Sequence, residues 1–314
     1  MECKICHNEV VLDRKLYDDR YGYQGFFDIF KCNSCGHKFI NAEFAATQLV
    51  ELYTDYYPRS TFDVTNYKPA QGAHGFSAWL NGVARSAYCW VPENVRVLDI
   101  GCGFGETLGY HKARGCEVYG VESDENIRRV AERFGFNVHV GLFDPGVYEP
   151  DYFDYVTMDQ VIEHMVSPLE TLNGIARVLK PGGRLIISTP NANGLGTRVF
   201  RNRWLHWHAP YHLHFFSLKS MKIVAERAGF ILEQNRTITS SDWLYWQWIH
   251  LVTYPNIGEP SGFWSPQVNL TLKQKIAIQL LSLVHRTKIN HFITRLVDFF
   301  NVGDNLLFIL RKPK

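Results

Sequence analysis

The sequence predicts an α/β protein built on a doubly wound, largely parallel sheet. Three observations carry that prediction. An apolar run of strand length ends at Ile100 and breaks into a turn with glycines at alternate positions, Gly101, Gly103 and Gly105, from which a helix continues near Glu106. Strand-like and helix-like stretches then alternate with short connections, as helices on both faces of one sheet require. Acids also stand at the ends of the first two strands, Asp99 and Glu122, where open α/β sheets bind ligands.

Composition sets the outer bounds. The 314 residues suit about two domains, 46% are hydrophobic, and 20% are charged. A net charge of +2 falls short of the basicity of a dedicated nucleic-acid binder. No apolar run has the length of a membrane span, and the N-terminus lacks the layout of a signal peptide. A cytoplasmic location follows as the expectation, with the seven cysteines reduced or bound to metal.

Four of those cysteines form two knuckles, Cys3-x-x-Cys6 and Cys32-x-x-Cys35, separated by an aromatic, β-prone segment from Tyr17 to Phe30. The paired spacing suits a tetrahedral structural Zn2+ site and resembles a zinc ribbon over residues 1–41. Four thiolates close the coordination shell, so His7 and His37 are bystanders and the metal has no catalytic position. Capping of the next domain is the favoured role. Residues 42–95 then read as a helical linker or cap with aromatics at Tyr53, Tyr56, Tyr57, Phe62 and Tyr67, broken by Pro58 and Pro69. His74 and Arg85 are read as surface residues.

The third unit spans 96–314. Its first strand and turn read RVLDIGCGFGETL. No Gly-Lys-Ser/Thr follows, which excludes a phosphate-cradling P-loop, and the spacing is G-x-G-x-G. The second strand, Cys116 to Glu122, ends on an acid able to accept both hydroxyls of a ribose. Ser123 or Asp124 caps the next helix, whose inner face is Ile127, Val130, Ala131 and Phe134. Asn137 to Gly141 is the third strand, and Phe153 to Met158 the fourth.

The turn, with Asp99 two residues before its first glycine, resembles the first motif of class I S-adenosylmethionine-dependent methyltransferases. That resemblance implies a Rossmann-like seven-stranded sheet and S-adenosylmethionine as cofactor. It places Gly101, Gly103 and Gly105 against the methionine part and Asp99 under its amino group. Glu122 with Ser123 falls at the ribose, Leu142 and Phe143 beside adenine, and Gln160 at the fourth strand's end. Glu163-His164 resembles the "EH" element of small-molecule methyltransferases, and no Pro-Pro-Tyr element of nucleic-acid amino-methylating enzymes is present.

Ser167 and Pro168 start the following helix, and Lys180 to Gly183 stops it before a fifth strand, Arg184 to Thr189. Residues 191–216, crowded with His206, His208, His212 and His214, lie past the carboxyl end of a central strand and form the substrate segment. The stretch from Thr189 through Phe230 resembles bacterial methyltransferases of cell-surface polysaccharide and related small-molecule biosynthesis. Ser217 caps a helix that Gly229 closes, Ile231 to Ile238 is the sixth strand, and Asn305 to Arg311 the seventh, inserted antiparallel between strands five and six.

Residues 239–304 thus form a C-terminal helical insertion before the last strand. Its aromatic start and the basic, Leu- and Ile-rich stretch from Thr271 to Phe300 fit either a lid or dimer contact, or peripheral membrane contact through 243–300. The sequence leaves the oligomeric state open. For O-methylation of a sugar, glycan or other envelope precursor, the base is assigned to His164 first and His214 second. The competing readings are an RNA methyltransferase that holds nucleic acid with the ribbon, and a cofactor-binding but non-catalytic interaction module.

Overall fold

A computed structural model describes residues 1–41 and 63–314, together with Leu52 and Tyr56. Tyr53, Tyr57, Pro58 and Phe62 of the expected helical cap lie outside the described residues. The chain opens with an antiparallel meander of β1 (Val10–Leu16), β2 (Phe27–Cys32) and β3 (Lys38–Ile40). A short helix, α1 (Gly75–Asn81), follows and ends at Gly82, whose φ of +66° gives the left-handed turn that a glycine tolerates best.

The main sheet begins with β4 (Arg96–Ile100), buried on both faces by Val97, Leu98 and Ile100. Helix α2 (Glu106–Lys112) leads to β5 (Glu117–Glu122), and α3 (Ile127–Phe134) to β6 (Asn137–Val140). Then come β7 (Phe153–Asp159), α4 (Pro168–Val178) and β8 (Leu179–Pro190). Helix α5 (Leu195–Phe200) and the two-residue β9 (His214–Phe215) lie in the segment expected to meet substrate, 191–216. After α6 (Leu218–Arg227) and β10 (Ile231–Thr237), three helices fill the insertion: α7 (Trp243–Val252), α8 (Leu272–Arg286) and α9 (Ile289–Phe299). Strand β11 (Asn305–Arg311) closes the fold.

The seven strands run in the order β10-β11-β8-β7-β4-β5-β6, with β11 antiparallel to both neighbours. This is the predicted topology: the last strand slides between the fifth and sixth, and the reversals of strand order put the carboxyl ends of β4 and β7 at a crevice.

Two local expectations need correction. Helix α4 stops at Val178 and β8 starts at once, so Lys180 to Gly183 lies within the strand as an irregularity between the Phe153–Leu179 and Tyr155–Arg184 pairs. Helix α3 starts at Ile127, later than a cap at Ser123 or Asp124 requires; the Asp124 carboxylate instead takes the N–H of Asn126 at 2.9 Å in the turn before it.

The N-terminal meander is not an isolated unit. Strand β3 pairs with β9, so the small sheet takes its fourth strand from residues 191–216. Cys3, Ile5, Cys32 and Cys35 also join one buried cluster with Phe216, Met221 and Val224.

Candidate functional site

The carboxyl ends of β4, β5 and β7 converge on one polar crevice. Strand β4 runs into the glycine turn, where Gly101, Gly103 and Gly105 all have positive φ (+75°, +56° and +79°). At Gly101 a Cβ would meet Val161 at 2.4 Å, whereas nothing lies within 4 Å of the space a Cβ on Gly103 would fill. Gly101 is therefore a packing requirement, and Gly103 keeps the floor of the crevice open.

Glu122, at the end of β5, is held across that turn. Its Oε2 accepts the N–H of Gly103 at 2.9 Å, and its Oε1 accepts the N–H of Asp124 at 2.9 Å and the Ser123 hydroxyl at 3.2 Å. A carboxylate has about four lone-pair sites, so Glu122, with three of them filled, keeps capacity on Oε2 for a hydroxyl brought by a ligand.

Asp99 is placed differently from the expectation. It is buried beneath the turn, with one oxygen accepting the Thr157 hydroxyl at 2.7 Å and the other the Thr107 hydroxyl. Burial raises its pKa to about 6 against the pull of those two hydroxyls. Asp99 thus ties β4, β7 and the first turn of α2 together and supports the crevice from below. Thr107 and Thr157, which the sequence reading did not single out, are its partners.

Gln160 follows β7 with φ +58°, a strained conformation for a non-glycine residue. Its side-chain amide donates to Ser188 at 3.0 Å and Asn305 at 2.8 Å, at the adjoining ends of β8 and β11. Of the pair expected to flank adenine, Phe143 is partly buried against the main core, while Leu142 is 80% exposed.

Beyond Gln160 a short turn carries Glu163 and His164. Glu163 is buried; one oxygen accepts the Thr189 hydroxyl at 3.0 Å, the other has no partner among the described residues, and burial pushes its pKa up to about 8. The Nδ1 of His164 lies 2.9 Å from the carbonyl of Tyr211. A carbonyl can only accept, so Nδ1 carries the proton and Nε2 holds the lone pair. Burial first, then the charge of Arg20, lowers this imidazole to about 4 against the Tyr211 carbonyl. The ring of His212 packs edge-on at 4.6 Å. Arg20 reaches in from the N-terminal unit, donating to the carbonyl of Leu205 at 2.6 Å and stacking 4.5 Å from Trp264. The contribution of Arg20 has no local sequence signal, because it depends on two distant segments meeting.

The structure withdraws His214 from the role of base. It is 3% exposed, its Nδ1 lies 2.9 Å from Nε2 of His37, and its Nε2 lies 3.4 Å from the carbonyl of Val166. One ring nitrogen joins β9 to the small sheet through His37, and the other faces the turn between β7 and α4. His37 is accordingly a structural partner of His214.

At the far side of that small sheet, all four N-terminal cysteines gather with their thiols free of disulfides. Cys3 and Cys35 place their sulfurs 3.6 Å apart, and Cys6 and Cys32 3.5 Å apart. A tetrahedron with bonds of about 2.3 Å separates its sulfurs by about 3.8 Å, close to both values. Backbone N–H groups of Ile5 and Cys35 point at the sulfurs of Cys3 and Cys32 at 3.4 Å, as expected around thiolates.

The sheet order, the glycine turn and the clasp of Glu122 over Gly103 define the class I methyltransferase fold. Residues 70–235, more than half of the chain, match the family model described as a methyltransferase domain, and the chain belongs to that family. It is 34% identical over 105 residues to a ubiquinone biosynthesis O-methyltransferase of Aeromonas salmonicida, covering 31% of this chain and 44% of that protein. The protein of the same name from Azoarcus sp. is 29% identical over 152 residues, covering 46% of this chain and 63% of the relative. The chain thus spans about half the length of the curated relatives it matches. Phosphoethanolamine N-methyltransferase 2 of Haemonchus contortus, solved with S-adenosyl-L-methionine, shares the fold at a TM-score of 0.51 and 20% identity, over 88% of this chain and 62% of that one.

The residues present fit S-adenosylmethionine. The open floor at Gly103 admits a ligand against bare backbone, and the Oε2 of Glu122 keeps a lone pair for a ligand hydroxyl beside that turn. No helix among the described residues is long and apolar enough to cross a membrane.

Proposed function

We propose that this protein is an S-adenosylmethionine-dependent O-methyltransferase of small molecules, and that its acceptor is a hydroxyl of a sugar, glycan or other cell-envelope precursor. The observation that carries the reading is the Glu122 clasp over the open Gly103 turn, with the His164 lone pair fixed in the short turn that follows β7. The two relatives named as O-methyltransferases support oxygen as the target.

In this reading Gly101, Gly103, Gly105, Glu122, Ser123 and Gln160 hold the cofactor, and Asp99 supports their turn. When bound, S-adenosylmethionine supplies a methyl group already activated by its sulfonium. His164 takes the proton of the acceptor hydroxyl on Nε2, while its Nδ1–H stays on the carbonyl of Tyr211. His206, lowered to about 3 by burial, is neutral as well, so it adds no cation that would oppose proton uptake by His164. Cys3, Cys6, Cys32 and Cys35 hold a structural zinc ion, which supplies rigidity and no open coordination position.

Methyl-labelled S-adenosylmethionine and an extract of cells lacking the protein test the reading. Label should enter nucleotide-sugar, glycan or lipid-linked material when the purified protein is added. Label confined to RNA would overturn it.

A further inference from the structure

Helix α9 is amphipathic in the inverted sense. Its buried residues are Asn290, His291 and Thr294, all polar. Asn290 donates to the carbonyl of Ser241 at 3.0 Å, and Asp298 accepts the N–H and hydroxyl of Thr239 at 2.9 and 2.7 Å while pairing with Arg295 at 3.0 Å. The opposite face carries Ile289, Phe292, Leu296 and Phe299, the last 76% exposed. Helix α8 has no fully buried side chain, and it exposes Leu272, Ile276, Leu280 and Leu283 at helical spacing. Phe76 and Trp79 of α1, which lies against α9, extend the same apolar character and are 66% and 51% exposed. A soluble surface rarely carries so large an apolar expanse without a partner.

Charge identifies the partner. From Thr271 to Phe300 the chain has five cations, Lys273, Lys275, Arg286, Lys288 and Arg295, and one acid, Asp298. The remainder of the chain is therefore at −2, although the whole is at +2. Lys273, Lys275 and Arg286 make no ion pair among the described residues. In a two-fold dimer this face would meet itself and oppose cation to cation. An anionic bilayer accepts the apolar side chains and neutralises the basic ones together.

We propose that α8 and α9, with Phe76 and Trp79, dock this protein on the surface of an anionic phospholipid membrane. The docked helices are anchored to the substrate segment: Asn191 donates to the carbonyl of Gly303 at 2.8 Å, and the N–H of Leu195 to that of Val302 at 2.7 Å. Docking therefore brings the start of that segment to the bilayer, where a lipid-borne acceptor would be presented. Docking itself depends neither on the acceptor nor on methyl transfer.

Sedimentation of the full chain with vesicles tests the proposal. The protein should pellet with phosphatidylcholine vesicles containing about one quarter phosphatidylglycerol, and about tenfold less with phosphatidylcholine alone. Leu280→Asp with Phe292→Asp should abolish pelleting. Lys273→Glu with Lys275→Glu should lose the preference for anionic vesicles while keeping the circular dichroism spectrum. A folded protein that ignores anionic vesicles overturns the proposal. So does a dimer in solution that Leu280→Asp alone dissociates, because the face would then be spent on a second copy. Cofactor binding by calorimetry, run on the same samples, reports on the methyltransferase reading separately.

Discussion

At Gly103, open space and a positive φ coincide, so any side chain there projects into the volume assigned to the cofactor. Gly103→Val should reduce S-adenosylmethionine binding below detection by calorimetry, and unchanged affinity would remove the site. His164 sets a second expectation. A base must be unprotonated, and burial holds this imidazole at about 4, so kcat/KM should already be level by pH 6 and fall only as pH drops toward 4. An acid limb centred near 6.5, the ordinary histidine value, would assign the proton transfer to another group. Glu163 behaves in the opposite sense. Its folded pKa of about 8 lies above its unfolded value, so the native state binds the extra proton and stability is lost as pH rises through 8. Glu163→Gln keeps an acceptor for Thr189 and cannot ionise; it should raise the melting temperature at pH 9 and leave it nearly unchanged at pH 4.

Elements with a strong local code are legible in the sequence. Strand β4 and its glycine turn need positive φ at fixed positions, and the helix after Ser217 needs a cap, so the chain states both directly. Ser217 and Ser220 exchange side-chain-to-backbone hydrogen bonds at 3.2 and 2.9 Å in a reciprocal cap, and Ser217→Ala should cost about 1 kcal/mol in urea denaturation. Placement of β11 between β8 and β10 is legible for a different reason, because the methyltransferase resemblance supplies the topology. What escapes is whatever depends on distant partners. Asp99 is readable as an acid at a strand end, but its burial under Thr107 and Thr157 is a product of packing three elements. His214 looks like a free histidine in an extended piece until β9 pairs with β3 and brings His37 against it. The inside-out polarity of α9 is likewise invisible to periodicity, which finds an apolar stripe without saying which side it faces.

At the scale of the whole molecule, the N-terminal unit is built into the catalytic body. Strand β3 holds β9, Lys219 donates to the carbonyl of Ser34 at 2.6 Å, Arg227 donates to the carbonyl of Ile5, and the cysteine sulfurs share a core with α6. A ribbon joined only by a linker could lose its metal and unfold alone. Here the strand that would be released belongs to residues 191–216, and Arg20, whose charge reaches the histidine cluster, lies between β1 and β2 of the N-terminal unit itself. Metal loss should therefore act on both stability and acceptor binding. Removal of zinc with a strong chelator, or Cys32→Ser, should lower the main calorimetric transition as one cooperative event and speed amide exchange around His214 and Phe215. Binding of S-adenosylmethionine should change less than turnover of the acceptor, because β4, β5 and Glu122 lie on the other sheet. If the main transition stayed fixed while a small early one appeared, the ribbon would be an independent module and the shared sheet would carry little energy. Absence of zinc from protein purified without chelator would refute the metal assignment itself.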